Sequence, residues 1–137
     1  MAIRLGMEAK IYHGAAGSTA TSELTNVKDV TLNLETGEAD VTTRGNQGWR
    51  ATVGTLKEGS VEFEMVWDSD DSGFTAIKNA YFNNTPIALA ILDGAGGEGL
   101  DADFSITNFS RKEALEEAIT VSVTAKPTYS TRAPAWV

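Results

Sequence analysis

Alternation of apolar and polar side chains with a period of two is the feature that most constrains how this sequence can fold. In residues 60–68 every second side chain is apolar, and Glu62 and Glu64 occupy the positions between. This spacing places apolar side chains on one face of a β-strand and charge on the other. Similar alternation, or a short continuous apolar run, predicts further strands at residues 8–13, 30–34, 87–92, 102–109 and 118–125.

One segment has helical spacing instead. Residues 69–71 offer side-chain oxygens that can cap a helix, and apolar residues then recur at intervals of three to four from Phe74 to Tyr81. The helix is expected to end near Asn83, because Pro86 disfavours helical geometry just before it. Strands this close together leave no room for crossover helices, so we predict a mainly β fold: an antiparallel β-sandwich or partly closed barrel with one flanking α-helix.

The length of 137 residues favours a single domain that spans residues 1–137. Within it, residues 35–55 are rich in glycine and threonine and predict a long extended hairpin arm. Residues 127–137 have no period and predict an extended C-terminal tail. Large or charged side chains on such segments are candidates for contacts between subunits. These candidates are Val41, Thr43, Arg44, Trp49, Arg50, Tyr129 and Trp136.

Charge and composition exclude several classes of protein. The formal net charge of −8 repels a nucleic-acid backbone, so a DNA clamp is not expected. The absence of cysteine excludes disulfide scaffolds, thiolate metal sites and a cysteine nucleophile. No apolar leader and no apolar run long enough for a membrane span is present, so we expect a protein made in a cytoplasm without a membrane partner.

Two glycine-containing motifs resemble ligand loops but fail in context. Residues 94–99 match G-x-G-x-x-G, yet a strand pattern follows where a phosphate-binding helix is needed, so a hairpin turn is predicted. Residues 68–73 resemble the start of a calcium loop, but position twelve is Asn79 rather than a glutamate. A helix N-cap explains that segment better, and no metal or other cofactor is expected.

The sequence offers few candidate catalytic side chains. His13 is the single histidine, lies at a strand end without a nearby serine nucleophile motif, and is interpreted as solvent-facing. The carboxylate pairs Glu62 with Glu64 and Glu116 with Glu117 are interpreted as solvated or interfacial charge, because acid–base catalysis requires burial and shifted pKa values. We therefore predict that the protein is not an enzyme.

Three stretches carry a resemblance to a known family. Residues 108–128 place a polar turn and an acidic connector before a final strand of alternating Thr and Ser that closes with Lys-Pro-Thr. Residues 6–12 lead into residues 24–32, and residues 40–44 then begin a long hairpin. Together they resemble the phage major tail protein, or tail tube protein, family.

The resemblance implies a structural subunit whose copies pair through their sheets into rings, hexameric by family analogy, and stack into a hollow tube that conducts DNA. It also implies partners in the virion tail, namely further copies of the chain and the tape measure, terminator and distal tail proteins, with assembly in the host bacterial cytoplasm. DNA would pass through without specific binding. Acidic side chains would then line the bore, and the candidates are Glu62, Glu64, Asp101 and Asp103.

Two alternatives remain open at this point. The inner tube of a contractile tail or injection system has the same fold and also assembles as stacked rings. A monomeric carbohydrate-binding β-sandwich that uses Trp49 and Tyr12 as a stacking platform belongs to a different class.

Overall fold

One antiparallel sheet of eight strands forms the framework of the protein in the computed structural model, which describes residues 3–137. The elements in chain order are β1 (Lys10–Ala15), β2 (Ser22–Glu23), β3 (Val27–Asp40), β4 (Thr52–Val66), α1 (Ser72–Asn83), β5 (Ile87–Leu92), β6 (Gly99–Lys112), β7 (Thr120–Pro127) and β8 (Ala135–Trp136). Short 3-10 turns lie at Gly6–Glu8 and Arg44–Asn46.

The strand order across the sheet is β2-β1-β5-β6-β7-β4-β3, and β8 pairs with the first residues of β6. In the described part of the chain β2 and β3 do not pair with each other, so the sheet is not closed. The predicted mainly β, antiparallel class with one helix is confirmed. The sequence pattern missed β2 and β8, because two residues are too few to show a period.

The main core lies between one face of the sheet and α1. Asp71 caps the helix, because its Oδ2 accepts a hydrogen bond of 2.9 Å from the Phe74 N–H. Asn84 ends the helix in the left-handed conformation with φ 53°. Phe74 and Ile77 lie on the buried face of α1 and are fully covered, which contributes about 1.5–3 kcal/mol for each side chain. The sheet supplies the opposite wall through Ile11, Val61, Phe63, Met65, Leu89, Phe104, Val121 and Val123.

A two-stranded arm extends beyond this core. The β3–β4 pairing continues from Val27 opposite Met65 to Asp40 opposite Thr52, whereas β7 pairs with β4 only over residues 61–66. Residues 33–60 therefore form a hairpin whose β4 strand has no other neighbour in the described chain; we call this segment the arm. Nearly every side chain of the arm is exposed. Among residues 3–137 no helix is long and apolar enough to cross a membrane.

Candidate assembly surfaces

The end of the arm is a compact turn that holds a tryptophan in solvent. The Gly45 N–H donates to Thr43 Oγ1 at 3.2 Å, and Thr43 Oγ1 lies 2.8 Å from Asn46 Oδ1. Gly48 has φ 85°, in the left-handed region that a glycine adopts without strain. The chain then returns through Trp49, whose side chain is 78% exposed. We call residues 40–52 the arm tip.

The arm tip combines this aromatic ring with positive charge. Arg44 and Arg50 form no ion pair with any residue in the range 3–137, and Val41 is exposed beside them. A large apolar side chain in water costs about 1.5–3 kcal/mol relative to burial. The tip therefore carries both the apolar surface and the unpaired charge that a contact with another molecule would satisfy.

The C-terminal tail forms a second surface. β8 places Ala135 opposite Asp101 and Trp136 opposite Leu100, and the Val137 N–H donates to the Gly99 carbonyl at 2.9 Å. This pairing fixes the backbone of Trp136, yet its side chain remains 59% exposed. Tyr129 is also exposed.

The root of the arm and the tail enclose an open cavity of about 830 Å³, which we call the slot. It begins where β7 ends at Pro127, while the arm continues on one side and the tail lies on the other. Leu34, Leu100, Pro127, Pro134 and Trp136 give it apolar walls. The polar and charged lining residues are Asn33, Glu35, Thr36, Lys57, Glu58, Ser60 and Lys126.

A buried ionic cluster holds the tail against β6. Arg132 Nη1 lies 3.0 Å from Asp101 Oδ2, and Arg132 Nε donates to Asp103 Oδ1 at 3.0 Å. Asp103 also accepts hydrogen bonds from the Ser130 hydroxyl and, at 3.0 Å, from the Gly17 N–H. Burial raises the pKa of the Asp103 carboxyl, but these hydrogen bonds outweigh it and the net pKa lies below its ordinary value.

This cluster changes the set of bore candidates. Asp101 is 3% exposed and Asp103 is fully buried, because the tail covers the face of β6 that the alternation pattern assigned to solvent. The structure therefore places both acids inside the subunit, each bonded to Arg132, and not on a free surface. Glu62 is exposed and Glu64 half-buried, on the polar sheet face opposite Thr124 and Ser122.

The other side chains that were considered for ligand binding or catalysis lie in a turn, on a strand or on the arm tip. Residues 93–98 form the turn between β5 and β6, where the Glu98 N–H donates to Asp93 Oδ1 at 2.9 Å. His13 is not solvent-facing but half-buried, and burial lowers its pKa while Asp71 partly opposes that effect. Tyr12 lies on β1 and Trp49 on the arm tip, so the proposed carbohydrate platform does not form.

Some relevant residues gave little signal in the sequence. Arg132 is the centre of the ionic cluster, but it lies in the tail, where no period predicts its burial. Phe82 on α1 and Leu115 in the β6–β7 loop are exposed apolar side chains outside the arm. Phe82 directly follows Tyr81 on the helix and therefore lies beside the apolar stripe, not in it. This position was the signal in the sequence for its exposure.

The fold and these surfaces define a structural β-protein with a projecting arm, apolar side chains in solvent and no assembled catalytic group in the described residues. The sequence profile of the phage tail tube protein family matches residues 10–128. The chain therefore belongs to the phage tail tube protein family, whose members are structural and not enzymes, and it is a subunit of a phage-type tail in the virion. A search of curated protein sequences finds no match.

Solved structures share the fold at low sequence identity. A chain from the tail of the empty gene transfer agent (GTA) particle, refined helically with C6 symmetry, is 14% identical with a TM-score of 0.79; the match covers 98% of this chain and 99% of that one. The SPP1 tail tube gives 16% identity and a TM-score of 0.67, covering 90% and 75%. A chain of the anti-feeding prophage (AFP) baseplate gives 4% identity and a TM-score of 0.62, covering 100% and 97%.

Proposed function

We propose that copies of this chain assemble into hexameric rings that stack into a hollow tube through which DNA passes. The observation that carries the proposal is the arm: a long, exposed hairpin with a tryptophan at its tip, on a chain of the tail tube family. The C6 symmetry of the related GTA tail supports six copies per ring.

Sheet edges supply the contacts within a ring. β3 is an edge strand of fourteen residues, and a long unpaired edge is a template for pairing with another chain. A ring in which each copy pairs its edge with the next copy leaves no such edge unpaired. The polar sheet face that carries Glu62 and Glu64 then faces the bore, where negative charge keeps DNA from adhering.

The arm supplies the contact between rings. Its candidate contact residues Val41, Thr43, Arg44, Trp49 and Arg50 all lie at the tip, away from the core. Tyr129 and Trp136 on the tail are candidates for a second contact. Tape measure, terminator and distal tail proteins would meet the ends of the finished tube in the bacterial cytoplasm, where the phage assembles.

The assembly test is direct. Purified protein at high concentration should form tubes with sixfold rings by negative-stain electron microscopy, and native mass measurement should detect multiples of six. A protein that stays monomeric, both alone and with the other proteins of its tail, would contradict the proposal.

A deletion tests the role of the arm. Removal of residues 38–52 should leave a folded subunit, because these residues lie outside the core, but one that does not form tubes. Trp49→Ala should weaken tube formation, whereas Leu115→Ala removes a fully exposed apolar side chain from another loop and should not. Normal tubes from the deletion variant would refute the role of the arm.

A further inference from the structure

We propose that the slot receives the arm tip of a second copy of this chain. The inference rests on the proposed stacking of rings through the arm and names the surface on which the arm docks. It follows from three properties of the slot and from the position of the arm tip relative to it.

The first property is the apolar lining. Leu34 and Trp136 are more than half exposed although both belong to strands, and Pro127 and Pro134 lie beside them. A cavity of about 830 Å³ bordered by such residues is large enough for an aromatic side chain and its neighbours. Trp49, the tryptophan of the arm, is exposed and matches this lining in size and chemistry.

The second property is charge. Glu35 lies directly opposite Glu58 in the β3–β4 register, and like charges in directly opposed positions destabilise a strand pair. Lys57 and Lys126 also border the slot, but within residues 3–137 neither lysine comes within ion-pair distance of these glutamates. A cation from outside the subunit would remove the repulsion.

The arm tip carries the matching cations. Arg44 and Arg50 have no acidic partner among the described residues, and the nearby Asp40 already accepts a hydrogen bond from the Thr42 N–H. Arginine binds carboxylates in a fixed, forked geometry that defines register as well as affinity. The tip therefore carries an apolar group for the wall that holds Leu34, and cations for Glu35 and Glu58, whose side chains leave the strand pair on its opposite face.

The third property is backbone. β4 pairs with β3 along the arm, but its other edge has no partner over residues 52–60 in the described chain, and residues 57–60 border the slot. An extended segment that enters the slot can therefore pair with free backbone groups of β4. The segments that flank the arm tip are extended.

The geometry gives the contact a direction. Tip and slot lie at opposite ends of the same hairpin, so the tip cannot reach the slot of its own chain. From residue 33, opposite Ser60, to Val41 the strand rises by roughly 26 Å. A contact between two different surfaces of identical subunits leaves one of each surface free at the two ends of the assembly. Unless the rotation between subunits closes a ring, such a contact therefore propagates as an open stack. This is the arrangement that stacked rings require.

Cross-linking tests the contact, because the chain has no cysteine of its own. Val41→Cys at the tip and Ser60→Cys in the slot should join neighbouring subunits into covalent ladders when tubes are treated with a short bismaleimide. A link within one chain is excluded by the separation of the two positions. Val41→Cys with Ser110→Cys is the matched control and should give no ladder, because Ser110 lies on β6 outside the slot.

Charge exchange gives a second readout. Reversal of the tip (Arg44→Glu with Arg50→Glu) or of the slot (Glu35→Arg with Glu58→Arg) should each lower the yield of tubes at least about tenfold, the effect of 1.4 kcal/mol. The combination of all four substitutions should restore the yield. Glu116→Arg with Glu117→Arg reverses two exposed acids elsewhere and should not rescue the tip variant.

The outcomes separate the two proposals. The slot would be overturned as the receptor if tubes of the Val41→Cys, Ser60→Cys protein gave no ladder, or if the four charge substitutions together failed to restore assembly. Either result would leave the tube function standing. Failure of the unaltered protein to form tubes would overturn the tube function and the slot with it.

Discussion

At the scale of single residues, Arg132 is the group on which the C-terminal tail depends. One guanidinium is shared between two buried carboxylates, so the cluster keeps a net negative charge away from water. Asp101 Oδ1 and Arg132 Nη2 have no hydrogen-bond partner among residues 3–137. A buried ion pair is a weak source of stability, but removal of one partner leaves an uncompensated charge.

Arg132→Ala should therefore destabilise the fold by about 3–5 kcal/mol, because Asp101 and Asp103 would remain buried without a cation. Chemical denaturation of the monomer measures this change. Lys10→Ala is the control, since it breaks an exposed pair with Glu23 at 2.9 Å and should leave the stability almost unchanged. Equal losses in the two variants would mean that the cluster does not anchor the tail.

His13 should make stability depend on pH near neutrality. Burial lowers its pKa in the folded state below the ordinary value of 6.5, so the unfolded chain takes up a proton more readily than the folded one. The contribution of His13 to stability is therefore fully present above pH 6.5 and is lost as the pH decreases below that value. Thermal midpoints from pH 8 to pH 5 should show this fall, and His13→Gln should flatten it. The pKa of Asp103 is lowered from 3.8, so the stability that its carboxylate contributes is lost only at a more acidic pH, below 3.8.

At the scale of elements, the cap of α1 can be tested by itself. Asp71→Ala removes the acceptor for the Phe74 N–H and should cost about 1 kcal/mol of stability. Asp70→Ala lies one position earlier, removes the same charge and caps nothing through its side chain, so it is the matched control. A loss of stability in both variants would point to charge near the helix start rather than to the cap.

The elements also explain what could be predicted from sequence. The strand alternation and the end of α1 at Asn83 are local patterns, and the structure has them where the sequence indicates. The burial of Asp101 and Asp103 depends on Arg132, which is about thirty residues further along an irregular tail. No local period encodes such a contact, so these acids were assigned to a free surface. The slot was missed for the same reason, since it forms between segments that are distant in sequence.

At the scale of the whole molecule, the polar face of the sheet decides what kind of bore a ring would have. Glu62 and Glu64 lie on this face, and the register places Thr124 and Ser122 beside them. Lys112 and Lys126 occupy the same face on the neighbouring strands. With Asp101 and Asp103 buried, the bore would therefore be mostly hydroxyl groups with few charges of both signs. Its negative potential would depend on Glu62 and Glu64 and, toward the arm, on Glu35 and Glu58, which the β3–β4 register places on the same face.

Reversal of the charges of Glu62 and Glu64 should convert a bore that repels DNA into one that retains it. In tubes of Glu62→Lys with Glu64→Lys, short linear duplex DNA should enter through the open ends and sediment with the tubes, and added salt should release it. A closed circular plasmid cannot thread a tube, so it should stay in solution with this variant. Tubes of Glu116→Lys with Glu117→Lys carry the same charge change in the β6–β7 loop and should bind linear and circular DNA alike if that loop lies outside. Binding of the plasmid to the Glu62, Glu64 variant would place the polar sheet face on the outer surface and reverse the assigned orientation of the subunit in the ring.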